Sequence, residues 1–102
     1  MDSKYEALFT PWKIGNVEMK NRIVMCPMGG TSLFGWFELG GCHFDKEAAK
    51  LFLERANNNV GLIIPGIAPL RDTFWGKWLW QNPKMFEELK VFMEEIHKTG
   101  AK

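Results

Sequence analysis

The residues best placed to form a binding site follow a short apolar run near the start of the chain. Residues 22–26 pass from a polar turn into apolar side chains, so we predict a short buried strand there. Pro27 has no backbone N–H and ends regular strand pairing. Met28 and Gly29 would then lie on flexible backbone at the C-terminal end of a strand, where α/β sheets bind ligands. We therefore expect a ligand-binding site to begin here.

Other residues capable of chemistry lack the partners that a site needs. Cys42 and His43 are adjacent, and two adjacent ligands without others make a poor zinc site. Cys26 and Cys42 are too far apart for a CxxC motif, so we expect reduced thiols in a cytoplasmic protein. A glycine pair at residues 29–30 could cradle a phosphate, but no GxGxxG or Walker pattern accompanies it.

A second apolar run supplies a strand to pair with the first. Residues 60–64 are apolar at every side-chain position, as in parallel strands that helices cover. Pro65 and Gly66 end this run. We predict that residues 22–26 and 60–64 are adjacent parallel strands, so that both runs end at the same edge of the sheet.

Two amphipathic helices are predicted to pack on one side of these strands. The first covers residues 45–57, with Asp45 as its N-cap and asparagines that can take the left-handed conformation at its end. The second covers residues 83–99, and Gly100 follows its end. His97 lies where the helix dipole favours a cation, which explains it without catalysis. The predicted apolar stripes comprise Ala49, Phe52, Leu53 and Ala56 in the first helix and Phe86, Leu89, Phe92, Met93 and Ile96 in the second.

The remaining segments complete a β and α alternation. Gly15 and Asn16 suit a hairpin turn between two short strands, and Ala101 would begin a third parallel strand. Residues 29–44 are rich in glycine and apolar side chains and are predicted to be a loop folded over a ligand, another loop or another chain. Residues 65–82 are predicted to be a second long connection, whose tryptophan-rich part at residues 74–80 packs against loops or forms an interface. Two parallel strands cannot bury both faces of a sheet. We therefore predict an α/β fold: an N-terminal hairpin plus the first two β/α units of a truncated (β/α)8 TIM barrel, which needs about 250 residues.

Composition excludes several classes of protein. The chain has 102 residues, of which 46% are hydrophobic and 25% charged, as in a globular domain. A net charge of +1 with dispersed Lys and Arg gives no basis for nucleic-acid binding. The polar N-terminus is not a signal peptide, and no apolar run reaches the roughly 18 residues of a membrane span. We expect neither a nucleic acid nor a membrane as partner.

Two sets of residues resemble the Old Yellow Enzyme family of flavin oxidoreductases. The first set, at the N-terminus, comprises Leu8, Phe9, Pro11, Ile14, Gly15, Lys20, Asn21, Arg22, Ile23, Val24, Met25, Pro27 and Met28. The second set is Glu54, Arg55 and Ala56 followed by the run at residues 60–64, which resembles the first helix and second strand of the family. Residues 66–69 are most similar to the branch that contains 2,4-dienoyl-CoA reductases and bile-acid-modifying flavoproteins. The resemblance covers nearly the whole chain.

This resemblance implies a cofactor and a reaction. Members of the family hold FMN at the C-terminal mouth of a (β/α)8 barrel, take hydride from NAD(P)H and pass it to an electron-poor alkene. Residues 1–102 would be the N-terminal fragment of such an FMN-binding domain, and its substrate would be an enone or enoyl-CoA-like molecule. The positions that would contact FMN are Met25, Cys26, Pro27, Met28, Gly29, Gly66 and Ile67. No metal-binding residue is implied.

The sequence departs from the family pattern at two places. Gly29 stands where many members have a Cys or Thr that hydrogen-bonds the flavin, and glycine cannot tune the flavin in that way. Asn58 and Asn59 stand where Gly-Gly is commoner. The substrate-binding pair, the proton donor and the phosphate-binding loops of the family come from later strands, so the catalytic residues are unknown. Whether FAD and an iron–sulfur cluster are also present is left open.

Alternatives to a flavin enzyme start from the same residues. Met25, Cys26 and Met28 could be ordinary core, since Met and Cys usually fill protein interiors. Lys20 and Arg22 could form a solvated rim or anchor the hairpin. The chain could also be a non-enzymatic interaction module, or a structural fragment that other chains complete through its aromatic loops. The fragment alone is expected to be inactive under the flavin-enzyme hypothesis.

Overall fold

A computed structural model describes residues 2–27, 46–65 and 83–102. The N-terminal 3-10 helix, which the sequence did not predict, follows Asp2, whose carboxylate accepts a hydrogen bond from the backbone N–H of Lys4 at 3.2 Å. In chain order the elements are this 3-10 helix (Ser3–Phe9), β1 (Trp12–Ile14), β2 (Val17–Met19), β3 (Val24–Met25), α1 (Lys46–Asn57), β4 (Leu62–Ile63) and α2 (Pro83–Lys98).

The predicted hairpin is confirmed. Strands β1 and β2 pair antiparallel, with Ile14 opposite Val17, so the turn between them contains two residues. Gly15, the first of these, has a φ of 56°, a conformation that glycine adopts without a steric penalty. Met19 is the one residue of the two strands that is buried.

The parallel pairing of β3 and β4 is also confirmed, with Val24 opposite Leu62 and Met25 opposite Ile63. Both strands are shorter than predicted from residues 22–26 and 60–64. The pairing starts late because the N–H of Ile23 bonds the side chain of Asn21 at 3.0 Å, which makes a turn before β3.

A third stretch of chain begins beside β4, as predicted. The N–H of Lys102 donates to the carbonyl of Gly61 at 3.0 Å, and the N–H of Ile63 donates to the carbonyl of Lys102 at 2.8 Å. This pair of bonds is the parallel ladder pattern. The backbone order is therefore β3, β4 and then residue 102, which follows the order of the chain, while closure into a barrel stays a prediction.

The helices pack on one face of this sheet. Asn59 after α1 and Gly100 after α2 have φ of 78° and 88°, which confirms left-handed residues at both helix ends. The buried core comprises Ala49, Phe52, Ala56, Phe92, Ile96 and Ala101. The predicted stripe of α2 is too wide, since Phe86 is 52% and Met93 36% exposed. These two residues are seven apart, so they share a side of α2, and they lie at the margin of the stripe outside the buried core.

Candidate functional site

The C-terminal ends of β3 and β4 lie side by side, at the edge where the sequence predicts a site. The N–H of Ile64 donates to the carbonyl of Met25 at 3.0 Å, which carries the pairing to the end of both strands. Cys26 and Pro27 follow β3, and Pro65 follows β4 after one residue. Because proline has no N–H, neither Pro27 nor Pro65 can donate a further ladder hydrogen bond. We call this the C-terminal edge of the sheet.

The two faces of the sheet differ in what covers them. Met25 and Ile63 pack against the helix core. Val24 and Ile64 lie on the opposite face because side chains alternate along a strand, and they are 39% and 43% exposed. Cys26 is exposed and its thiol is free. The face away from the helices is therefore an open, uncharged apolar surface that leads to the C-terminal edge.

The structure describes only part of the predicted cofactor site. Cys26 and Pro27 lie at the C-terminal edge and are exposed. The side chain of Met25 is half-buried against the helices, so it is the backbone of Met25 that faces this edge. The other predicted positions, which lie outside the described residues, are Met28, Gly29, Gly66 and Ile67.

The opposite, N-terminal edge of the sheet contains a feature that the sequence did not reveal. Asn21 is a polar residue with only 2% of its surface exposed. Its Oδ1 accepts from the N–H of Ile23 at 3.0 Å, and its Nδ2 donates to the carbonyl of Asn59 at 2.6 Å. Asn21 thus ties the start of β3 to the turn between α1 and β4.

The residues on either side of Asn21 bind other elements. The Nζ of Lys20 donates to the carbonyl of Thr99 at 3.0 Å, just after α2. The Nε of Arg22 donates to Oγ1 of Thr10 at 3.0 Å, and its guanidinium lies 4.3 Å from the ring centre of Trp12. Arg22 is thus the predicted hairpin anchor, whereas Lys20 holds the end of α2. The side chains at this edge therefore hold elements of the fold together.

A groove of about 400 Å³ runs between the two helices on their outer side. Lysines of α1 form one wall, glutamates of α2 form the other, and the floor is apolar. None of the predicted cofactor positions takes part in it. The lining residues are Lys46, Ala49, Lys50, Leu53, Glu88, Val91, Phe92 and Glu95.

The described segments contain neither a cluster of metal ligands nor a membrane-spanning helix. Within residues 2–27, 46–65 and 83–102 no group of three His, Cys, Asp or Glu side chains is placed to hold a metal ion. The same segments contain no helix that is long and apolar enough to cross a membrane. Cys42 and His43 lie outside these segments.

Comparison with known proteins places the chain in a family. The sequence profile of the NADH:flavin oxidoreductase / NADH oxidase family matches residues 7–102, nearly the whole chain. The chain belongs to this family. It is 39% identical over 67 residues to cinnamate reductase of Clostridium sporogenes, a match that covers 66% of the chain and 10% of that protein.

A solved structure of the same type agrees with the fold. The Old Yellow Enzyme from Pichia sp. AKU4542 superposes with a TM-score of 0.69 and 28% identity. The match covers 93% of the chain and 24% of that protein. The chain therefore spans a quarter or less of the NADH:flavin oxidoreductase family proteins that it matches, and the family resemblance seen in its sequence is confirmed.

The C-terminal edge fits one wall of an FMN site. Cys26, Pro27 and Pro65, which follow the two strands at this edge, carry no charge, and the thiol of Cys26 is exposed and free. The flat ring of oxidised flavin is uncharged, with an apolar dimethylbenzene end and a polar pyrimidine end, and could lie against such a surface. The phosphate of FMN needs cations or backbone N–H groups, and Lys20 and Arg22 lie at the other edge. These described residues therefore suit the ring rather than the phosphate.

Proposed function

We propose that the chain is the first part of an FMN-binding (β/α)8 barrel that uses NAD(P)H to reduce the activated C=C bond of an α,β-unsaturated carbonyl compound. One observation carries the proposal: a family match over residues 7–102 coincides with parallel strands that present Cys26 and Pro27 at their C-terminal edge. The 39% identity to cinnamate reductase supports the substrate class, because cinnamate is an α,β-unsaturated carboxylate.

In this proposal FMN supplies the redox chemistry, accepting hydride from NAD(P)H and giving it to the substrate, and the protein supplies position and electrostatics. Residues 25–27 would hold the flavin ring in place through their backbone. Pro27 stiffens this backbone because its own φ is fixed near −65°. Met28, Gly29, Gly66 and Ile67 are proposed to contact FMN as well. FAD and an iron–sulfur cluster have no residue assigned to them in this proposal.

The partner of the open sheet face is the remainder of the barrel. Val24 and Ile64 are apolar and more than a third exposed on a face that no described helix covers. In a (β/α)8 barrel this face points to the barrel interior, where layers of branched side chains fill the core. Two observations favour this arrangement over an independent interaction module. The sheet face is apolar, and the chain covers only a small part of the length of the proteins it matches. Residues 1–102 alone are accordingly proposed to be inactive.

The cofactor content of the protein made from its own gene tests this proposal. We expect yellow protein with one FMN released per chain on denaturation. Pro27→Asp should reduce FMN content at least tenfold because it places a charge against the ring. Pro11→Asp is the matched control, since Pro11 is exposed just before β1 and is not one of the proposed FMN contacts. Colourless protein that takes up no added FMN, or equal FMN loss in both variants, would contradict the proposal.

Gly29 gives a second test of the same wall. Gly29→Thr should place a hydroxyl where it can hydrogen-bond the flavin and thereby shift the reduction potential of the bound FMN. Asn16→Thr is the control, because Asn16 is an exposed residue of the hairpin turn and is not one of the proposed FMN contacts. A potential that is unchanged by Gly29→Thr would place the flavin elsewhere.

A further inference from the structure

Asn21 is a buried polar residue that the proposed chemistry does not use. Its hydrogen bonds, to Asn59 and Ile23, lie at the N-terminal edge of the sheet, opposite the edge that carries Cys26 and Pro27. Its amide is fully engaged: within the described segments no buried side-chain nitrogen or oxygen lacks a hydrogen-bond partner. A buried amide with this number of bonds favours one arrangement of the chain over alternatives.

The space around Asn21 is matched to Gly61, the residue just before β4. A Cβ on Gly61 would lie 2.3 Å from Oδ1 of Asn21 and 2.9 Å from its carbonyl oxygen. Only glycine lets the two strands approach this closely. Gly61 also donates its N–H to the carbonyl of Ile23 at 3.0 Å. The contact therefore joins the segments that immediately precede β3 and β4.

The register of β3 against β4 needs such a contact. Each strand has two residues in the ladder, so the ladder itself specifies the register weakly. A slip by one residue would turn Met25 away from the helix core and turn Val24 into it. It would also move Cys26 and Pro27 by about 3.3 Å, the rise of one strand residue, in the direction of the strands and so relative to the end of β4.

We infer that Asn21 is a positioning residue, which fixes the register of β3 against β4 and thereby sets where Cys26 and Pro27 lie at the C-terminal edge. Lys20 and Arg22 hold the same segment to α2 and to the hairpin, so the segment cannot follow a slipped strand without breaking three contacts. The consequence for FMN rests on the proposed function. The register itself does not.

Amide hydrogen exchange on the protein made from its own gene tests the register. Asn21→Ser keeps a hydroxyl that can bond the N–H of Ile23 but is too short to reach Asn59. We expect exchange of the Ile64 amide, measured relative to the Phe52 amide of α1, to rise about tenfold or more. Asn58→Ala is the matched control: Asn58 lies in the same turn but bonds Glu54, and this ratio should stay within twofold.

An unchanged ratio in Asn21→Ser, or an equal rise in the control, would overturn the inference. A second measurement uses the unmodified protein, so it remains possible if Asn21→Ser does not fold. The side-chain amide protons of Asn21 should exchange at least tenfold more slowly than those of the exposed Asn58. Equal exchange of the two side chains would also overturn the inference.

The flavin gives a separate readout. In the FMN-loaded protein, Asn21→Ser should change the visible circular dichroism and the reduction potential of the flavin, and Asn58→Ala should change neither. Flavin signals unaffected by Asn21→Ser would overturn the link between the register and the cofactor. If the protein binds no FMN, the proposed function fails, and the exchange ratio of Ile64 still decides the register.

Discussion

Replacing Gly61 by alanine tests the packing of the N-terminal edge with a single methyl group. The new Cβ would lie 2.3 Å from Oδ1 and 2.9 Å from the carbonyl oxygen of Asn21, both well inside van der Waals contact. Asn21 is 2% exposed and is held by bonds of 2.6 Å to Asn59 and 3.0 Å to Ile23. It cannot yield by a small rotation. Either its side chain leaves the pocket or β3 and β4 separate.

The two responses have similar free-energy costs. Expelling the side chain breaks two hydrogen bonds, about 0.5–1.5 kcal/mol each, and leaves buried groups that lack partners. Separating the strands instead costs about 1–3 kcal/mol, the usual cost of overpacking a core. We therefore expect Gly61→Ala to lower the free energy of unfolding by about 2–4 kcal/mol. In the Asn21→Ala background the cost should fall by about 1 kcal/mol or more, because only the carbonyl contact remains.

Urea unfolding followed by far-UV circular dichroism measures these free energies. Gly15→Ala is the control, because its φ of 56° strains any side chain while nothing lies within 4 Å of the new methyl group. It should cost about 1–2 kcal/mol, from backbone strain alone, in either background. A loss below about 0.5 kcal/mol for Gly61→Ala, or full additivity with Asn21→Ala, would refute the close contact.

Other predictions concern the core and the two flanking anchors. Phe52→Ala should lower the free energy of unfolding by about 3–5 kcal/mol because Phe52 is 1% exposed. Phe86→Ala should lower it by less than about 1 kcal/mol because Phe86 is 52% exposed. The midpoints of urea unfolding compare the two variants, and equal losses would contradict the core assignment. Lys20→Met removes the hydrogen bond to the carbonyl after α2 and should cost about 1 kcal/mol, with faster amide exchange at the end of α2 than in the hairpin. Arg22→Lys should lose about 0.5–1 kcal/mol, since lysine cannot reproduce both the Nε hydrogen bond and the stacking on the indole; an unchanged hairpin stability would count against that anchor.

The sequence was a good guide to elements that depend on local pattern. The parallel pair, the Gly15 hairpin turn and the left-handed residue at position 100 follow from apolar runs and turn chemistry. The stripe of α2 was predicted too wide, because periodicity shows which residues share a face but not how far the neighbours reach around it. Phe86 and Met93 lie at the margin of the stripe and outside the buried core.

The N-terminal edge could not be predicted in this way. Asn21 looks like an ordinary turn residue, and only the fold brings it to Asn59, which lies 38 positions away in the chain. Lys20 likewise meets a carbonyl 79 positions away. Such contacts depend on how crossover helices return the chain to the sheet, which no local pattern encodes. Of the cofactor site, the position of Cys26 and Pro27 at a strand end was predictable. Which face of the sheet Met25 occupies could be known only once the register of β3 and β4 was seen.

The reactivity of the Cys26 thiol tests the central claim most directly, namely that the C-terminal edge of β3 lies against FMN. Cys26 is exposed and free in the described structure, so it should react readily with iodoacetamide in protein stripped of cofactor. Peptide mass mapping can follow this one site with and without added FMN. We predict at least tenfold slower alkylation of Cys26 once FMN is bound. Alkylation of Cys26 at the same rate in FMN-loaded and FMN-free protein would contradict the account.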